Sequence, residues 1–174
     1  MKKFAIYTLL ICVSLLGVGC QDEPEPGGTA TQDVAGEWWV SYYLDDGSGN
    51  LVDIWGGYTK AMTFNTAENS ATSLWVTDVG NFLYPFQVKV DYNANDKTFS
   101  VSQGANVDDD GEVTIEDGRV LLGQGTSTSG VKTDSIYFVA SFSVETDAAN
   151  NPTPYASKVI VAGHRRTGFL EDEH

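Results

Sequence analysis

The stretch DSIYFVASFSVET, residues 134–146, decides the fold class of this chain. Along most of this stretch, small or polar residues alternate with large apolar residues. The apolar side chains recur at every second position: Ile136, Phe138, Ala140, Phe142 and Val144. Because successive side chains of a β-strand point to opposite faces, this alternation is typical of a strand with one buried face. The stretch therefore predicts a sheet that covers an apolar interior.

Seven further runs rich in Val, Ile, Thr, Tyr, Phe and Trp alternate with clusters of Gly, Asn and Asp. No stretch of ten residues shows convincing helical periodicity. The runs predict strands at residues 36–44, 57–65, 73–79, 83–92, 97–103, 112–124 and 157–169, with a tight turn at Asp117-Gly118 inside the sixth. Short connections between about eight strands predict an all-β fold, a single antiparallel up-and-down barrel, with a β-sandwich as the alternative. Eight strands close around an interior that holds side chains or one small ligand.

The first 33 residues differ in character from the rest. Lys2 and Lys3 precede an apolar run at residues 4–18, small residues lead to Cys20, and an acidic, Pro/Gly-rich strip follows. The apolar run is too short to span a bilayer. The pattern resembles a bacterial lipoprotein signal, although Gly17 stands where that signal usually has Leu. It predicts a signal peptide at residues 1–19, a lipidated Cys20 with a flexible acidic tether at 20–33, and a β-barrel domain at 34–174; an ordinary secretory signal is the alternative.

Charge and cysteine content narrow the compartment and the partners. The acidic strip after Cys20 resembles a surface-export signal, so we expect an outer-membrane lipoprotein exposed at the cell surface, with a periplasm-facing one as the alternative. Membrane contact is expected through the lipid anchor alone. The net charge of −14 argues against nucleic-acid binding. The only two cysteines, Cys12 and Cys20, precede the predicted barrel domain, so the barrel has no disulfide and no thiolate metal site. We also expect the protein to be a monomer.

The beginning and the end of the barrel domain carry a family resemblance. GEW at residues 36–38 resembles the Gly-x-Trp start of calycin barrels such as lipocalins, and the chain ends in GHRRTGFLEDEH. Over roughly residues 34–173 the chain resembles the gut-bacterial lipoproteins known as lipid-binding putative hydrolases. The resemblance implies a calycin-like barrel with an apolar ligand, and it carries over no catalytic residue. It also implies that Trp38 closes one barrel end beneath a basic residue of the last strand, Arg165 or Arg166.

The alternation within the strands gives a candidate ligand site. We expect the inward side chains to line it: Trp38, Tyr42, Phe64, Phe86, Phe138 and Phe142. The first hypothesis is a non-catalytic surface lipoprotein that binds a small apolar or amphipathic, lipid-like ligand. The alternative is an accessory module that binds a glycan or a partner protein through exposed aromatic residues, with Trp55 in the loop DIWGGY, residues 53–58, as the best platform. A hydrolase, as the family name says, ranks third.

Sites for catalysis and for metal are weak in the sequence. GTSTSG, residues 125–130, lacks the final Gly and the following helix of a nucleophile elbow, and the strand residue His164 has no identifiable partner. We therefore do not expect an enzyme. Calcium is the one cofactor with a candidate site, in the acidic loop, where the spacing of an EF-hand is matched by Asn106, Asp108, Asp110, Gly111 and Asp117. The flanking strands and the short final Asp favour a plain acidic loop, so no cofactor is expected.

Overall fold

The computed structural model describes residues 27–45, 48–79, 85–143 and 158–174, which form strands and one short 3-10 helix at Leu170–Asp172. Cys20, Tyr84 and Val144 lie outside these ranges. Within the described ranges, no helix is long and apolar enough to cross a membrane. The strands are β1 (Gly36–Asp45), β2 (Leu51–Asp53), β3 (Thr59–Asn65), β4 (Ser73–Asp78), β5 (Gln87–Asn93), β6 (Thr98–Ala105), β7 (Glu112–Thr126), β8 (Lys132–Phe142) and β9 (Val159–Arg165).

The strands form one antiparallel sheet that closes on itself. Apart from β2, each strand pairs with its neighbours in chain order, and β9 returns to pair with β1, from Trp38 opposite Arg165 to Tyr43 opposite Ile160. Backbones approach closely at this seam, because a Cβ atom at Gly163 would collide with the carbonyl oxygen of Trp39. The prediction of an eight-stranded up-and-down antiparallel barrel is confirmed, with β2 as one extra strand on β1.

Alternation along the strands produces the core. Each strand of the barrel contributes inner side chains to one apolar cluster, and the outer positions carry polar or half-buried side chains, with the buried Trp39 as an exception. The largest fully buried side chains are Trp38, Phe86, Phe138, Leu74, Ile115 and Ile136. The alternation seen in the sequence of β8 places Ile136, Phe138 and Ala140 inside the barrel.

Two local features differ from the prediction. The predicted strand at residues 112–124 is present as β7, but it runs on without the tight turn expected at Asp117-Gly118. Asp117 has a φ of 54°, and the register of β7 on β8 shifts between Glu116 and Arg119, so the expected turn is a β-bulge. The second feature is β2, three residues that the sequence analysis assigned to connections.

Each end of the barrel is marked by a tryptophan. The Trp38 end contains the start of β1 and the connections β3–β4, β5–β6 and β7–β8. The Trp55 end contains the end of β1, β2, the start of β3 and the β6–β7 connection, together with the adjoining ends of β4, β5, β8 and β9. Antiparallel pairing in chain order alternates the connections between the two ends, and this alternation fixes which side chains can meet at each end.

Candidate functional site

The Trp38 end is closed by a tryptophan held on two sides. The Trp38 ring is fully buried, and its Nε1 donates a hydrogen bond to Thr63 Oγ1 at 2.9 Å. The Thr63 hydroxyl donates in turn to the carbonyl of Val34. The Arg165 guanidinium lies over the ring, with Cζ 4.5 Å from its centroid, which is a cation–π contact.

Arg165 also ties the segment before β1 across this end. Its Nη1 donates to the carbonyl of Ala35 at 2.6 Å and its Nη2 to the carbonyl of Asp33 at 2.9 Å. Its Nε pairs with Asp134 Oδ2 at 2.8 Å. Thr31 and Val34, which belong to this segment, are both buried. Packed structure therefore begins a few residues before residue 34. Arg165 and the segment before β1 therefore cover Trp38 at this end.

Arg166, which the resemblance gave as one of two arginines that could pack on Trp38, does not lie over that ring. It follows Arg165 directly, so its side chain takes the opposite, outer face. There its guanidinium bridges Glu37 at 2.5 Å and Glu173 at 2.7 Å. These two carboxylates raise the pKa of Arg166, Glu173 more than Glu37. Of the two arginines, Arg165 is the one that packs on Trp38.

Five of the six predicted ligand-lining residues lie on the inner side of the barrel, and they line packed core. Trp38, Tyr42, Phe86 and Phe138 are buried in the apolar cluster. Phe142, the last residue of β8, is half-buried, with its ring centroid 5.6 Å from that of Phe86.

Phe64 is the exception, and its prediction as an inward residue is wrong. Its ring lies on the outer face of β3, stacked on Trp75 with centroids 6.4 Å apart. The inner positions of β3 are the small residues Ala61 and Thr63, since the bulk of Trp38 occupies the space opposite them. The alternation along β3 is visible in the sequence, but residue size does not show which of its two faces is the inner one.

Concave surfaces of ligand size occur along the wall. One of about 450 Å³ is lined by residues of β5, β6 and β7, and another of about 540 Å³ by residues of β6 and β7. Both follow the β6–β7 pairing, whose register shifts twice, between Phe99 and Val101 and between Val101 and Gly104. The lining of the second is largely polar, which fits a lipid tail poorly, whereas that of the first is divided about equally between polar and apolar surface.

The Trp38 end exposes the large apolar side chains of Val131, in the β7–β8 connection, and of Phe169 and Leu170, which follow β9. The Trp55 end has an exposed apolar set of its own. Large apolar side chains stand in solvent on three of its connections, with Trp55 44% and Val107 59% exposed. We call this set the apolar rim: Leu51, Val52, Trp55, Val79 and Val107. Behind the rim, Leu44, Ile54 and Phe142 are half-buried and pack against the core. Exposed apolar side chains gathered at one end of a barrel are typical of a binding surface.

Two buried polar side chains lie inside the same end. Tyr42 is 3% exposed and Asp78, the last residue of β4, is 2% exposed. The backbone places both near the apolar rim, because Ile54 N–H donates to the Tyr42 carbonyl and Asp78 N–H to the Phe86 carbonyl, each at 3.0 Å. We call them the Tyr42–Asp78 pair.

The pair interacts electrostatically. Burial, and secondly the negative charge and hydrogen-bonding carboxylate of Asp78, raise the pKa of Tyr42 well above its ordinary value. Nevertheless, the Tyr42 hydroxyl has no hydrogen-bond partner of standard geometry within the described part of the chain. A buried hydroxyl is costly unless it is hydrogen-bonded, so the Tyr42 hydroxyl can bond with a polar ligand group.

Asp78 was missed by the sequence analysis, although a signal exists. In SLWVTDV, residues 73–79, the alternation that places Leu74 and Val76 inside also places Asp78 inside. A carboxylate on the apolar face of a predicted strand is an unusual combination, and it is the pattern that identifies a functional candidate.

The histidines lie on the outer wall, beneath the chain after β9. His164 is 4% exposed; its ring contacts Tyr58 edge-on at 5.2 Å and lies 6.4 Å from that of His174. Burial and the neighbouring His174 lower the pKa of His164, against an opposing effect of Asp172. His164 Nε2 has no hydrogen-bond partner among the described residues, so the structure does not pair it with a serine.

The loop GTSTSG holds a carboxylate in place. Asp172 is fully buried and accepts hydrogen bonds from Ser129 N–H at 2.7 Å and from the Thr167 hydroxyl at 2.7 Å. Burial alone would raise its pKa, but these bonds and the Ser129 and Ser127 hydroxyls lower the pKa to about 2. The loop therefore fastens residues 167–174 to the barrel, and His174 covers the second tryptophan of β1, Trp39, at 5.2 Å.

The candidate calcium residues are not brought together. Asn106 Oδ1 accepts from the backbone N–H groups of Gln87 and Asp108, and its amide nitrogen donates to the Pro85 carbonyl at 3.0 Å. Asp117 lies within β7, six positions after Gly111. In the described ranges, no three Asp, Glu, His or Cys side chains converge as a metal site would require.

Comparison with known proteins places this geometry in a family. The family model described as lipid-binding putative hydrolase matches residues 23–170, which is most of the chain and the whole barrel. A search of curated proteins found no match. The family and the barrel fold together support a lipid-binding role. The chain, with its calycin-like barrel, belongs to the family of lipid-binding putative hydrolases.

Proposed function

We propose that this protein is a surface lipoprotein whose barrel binds a small amphipathic, lipid-like ligand at the Trp55 end without catalysing a reaction on it. The observation that carries the proposal is the apolar rim of the Trp55 end with Leu44, Ile54 and Phe142 half-buried behind it. An amphiphile gains about 25 cal/mol for each Å² of apolar surface that it buries there.

The packed interior determines the depth of this site. Since Phe86 and Phe138 fill the barrel with the rest of the core, a long acyl chain inside it would have to displace buried side chains. A ligand therefore contacts the apolar rim and the side chains directly behind it. The family description favours a lipid as that ligand over other apolar molecules.

Native mass spectrometry of residues 21–174, purified without detergent, tests the proposal. We expect added mass that extracts into organic solvent, or added mass after incubation with dodecyl amphiphiles. A Trp55→Ser/Val107→Ser variant should lose most of that binding. Leu121→Ser/Leu122→Ser removes two similarly exposed apolar side chains from β7 and should leave binding unchanged. Equal binding by both variants, or no bound amphiphile at all, contradicts the proposal.

A second function has its own support. A filled barrel with an exposed Trp55 also fits an accessory module that binds a glycan or a partner protein, because an exposed indole is a stacking surface for sugars. Trp55→Ser separates the two functions. If it abolishes retention on an immobilised glycan while the protein binds no amphiphile, the accessory module is the correct reading.

The location is a separate part of the proposal. It rests on the apolar run, Cys20 and the acidic strip of the sequence. Metabolic labelling with a fatty acid should mark the protein and should fail for Cys20→Ala. Protease treatment of intact cells should remove the barrel domain if it faces outward. Protection from protease would place it on the periplasmic side instead.

A further inference from the structure

The Tyr42–Asp78 pair points to the chemical class of the ligand's head group. Both side chains lie inside the Trp55 end, which the proposed function assigns to the ligand, and the following inference rests on that function. The Tyr42 hydroxyl is almost fully buried and has no hydrogen-bond partner of standard geometry within the described residues. Such a group is rare in a folded protein, since leaving it unsatisfied costs about 1 to 3 kcal/mol.

Most of the charged side chains at the Trp55 end are carboxylates. Besides Asp78, carboxylates stand at the end of β1, in β2 and in the β6–β7 connection. We call them the acidic rim: Asp45, Asp53, Asp108, Asp109 and Asp110. Two lysines lie near this end: Lys60, at the start of β3, has its Nζ 5.8 Å from the ring centroid of Trp39, and Lys158, before β9, is paired with Glu116. A negative potential therefore extends from the acidic rim to the buried pair.

We propose that the Trp55 end binds an amphiphile whose head group donates hydrogen bonds, an amine or an alcohol, and that Tyr42 and Asp78 receive this head group. The head group donates to the Asp78 carboxylate and bonds with the Tyr42 hydroxyl. The apolar tail lies against Leu44, Ile54 and the apolar rim. A fatty-acid carboxylate is rejected, because it would place a second negative charge beside Asp78 in a medium of low dielectric constant.

Binding of three probes that share one tail tests the inference on residues 21–174. The probes are dodecylamine, dodecanol and dodecanoate, measured below their critical micelle concentrations at pH 7.5. We expect the amine and the alcohol to bind at least tenfold more tightly than dodecanoate. Tyr42→Phe should weaken both by about fivefold to tenfold. Asp78→Asn should weaken the amine at least tenfold and bring dodecanoate closer to the other two.

An acidic-rim variant keeps the test decisive if a substitution in the pair prevents folding. Asp108→Asn/Asp109→Asn/Asp110→Asn changes only exposed side chains, and it should lower the preference for amine over dodecanoate. Asp91→Asn removes an equally exposed carboxylate from the wall and should leave the preference unchanged.

The outcomes separate the inference from the proposed function. Dodecanoate binding as tightly as the amine, with Tyr42→Phe indistinguishable from wild type, overturns the inference and leaves the lipid-binding role intact. Absence of binding by all three probes overturns both.

Discussion

Replacement of Thr63 by valine tests the closure of the Trp38 end. The side chain is 1% exposed, and its hydroxyl accepts from Trp38 Nε1 at 2.9 Å and donates to the Val34 carbonyl. Valine has nearly the same shape, so packing is kept while two buried polar groups lose their partner. Each orphaned group costs about 1 to 3 kcal/mol. The added buried carbon returns about 0.8 kcal/mol. The free energy of unfolding should therefore fall by roughly 1 to 5 kcal/mol.

Urea unfolding followed by tryptophan fluorescence and far-UV circular dichroism measures this change. Thr63→Ser is the matched control, because it keeps the hydroxyl and deletes only a methyl group, at a cost of about 1 kcal/mol. Thr63→Val should be the less stable of the two, with an unchanged m-value. Equal stability of Thr63→Val and wild type, or a larger loss for Thr63→Ser, would refute the hydrogen-bond account of this end.

Three further changes have defined outcomes. Arg165→Lys keeps the charge but not the planar fork that reaches two backbone carbonyls and Asp134, so urea unfolding should report a loss of about 1 to 3 kcal/mol, with greater acrylamide quenching of Trp38. Phe138→Ala should cost about 3 to 5 kcal/mol, whereas Phe169→Ala, at a 51% exposed ring, should stay within about 0.5 kcal/mol of wild type. The pKa of His164 is lowered in the folded state, so its contribution is present above its unfolded pKa and is lost as pH falls; stability should decrease from pH 7.5 to 5.5, and less so in His164→Gln.

The barrel could be predicted because its signal is repeated in every strand. The period of two in β8 and β5 shows a strand with one buried face whatever its neighbours are, and eight such strands leave few arrangements. The family resemblance carried by GEW and by the chain end agrees with the matched family. The sequence predicted that an arginine of the last strand packs on Trp38, but it left open which of two adjacent arginines does so. Alternation assigns them to opposite faces, but it does not say which face is inside.

The rest depended on contacts that no local pattern contains. Phe64 was assigned to the interior by size, and only the bulk of Trp38 across the barrel shows why β3 turns Ala61 and Thr63 inward. β2 has three residues, too few for an alternation to be recognised. The pairing of Tyr42 with Asp78 joins side chains 36 positions apart, and it follows from the barrel's curvature instead of from either strand.

The seam between β1 and β9 sets the order in which the chain can become a finished molecule. Trp38 and Arg165 face each other across more than a hundred residues, so the ring closes only when the last strand has emerged from the ribosome. Until then β1 and β8 each expose an unpaired edge, and such edges recruit strands from other chains. Contacts of this sequence separation also form slowly. A chain that lacks its final strand should therefore remain an open sheet with unpaired edges. Such a truncated protein should self-associate and aggregate.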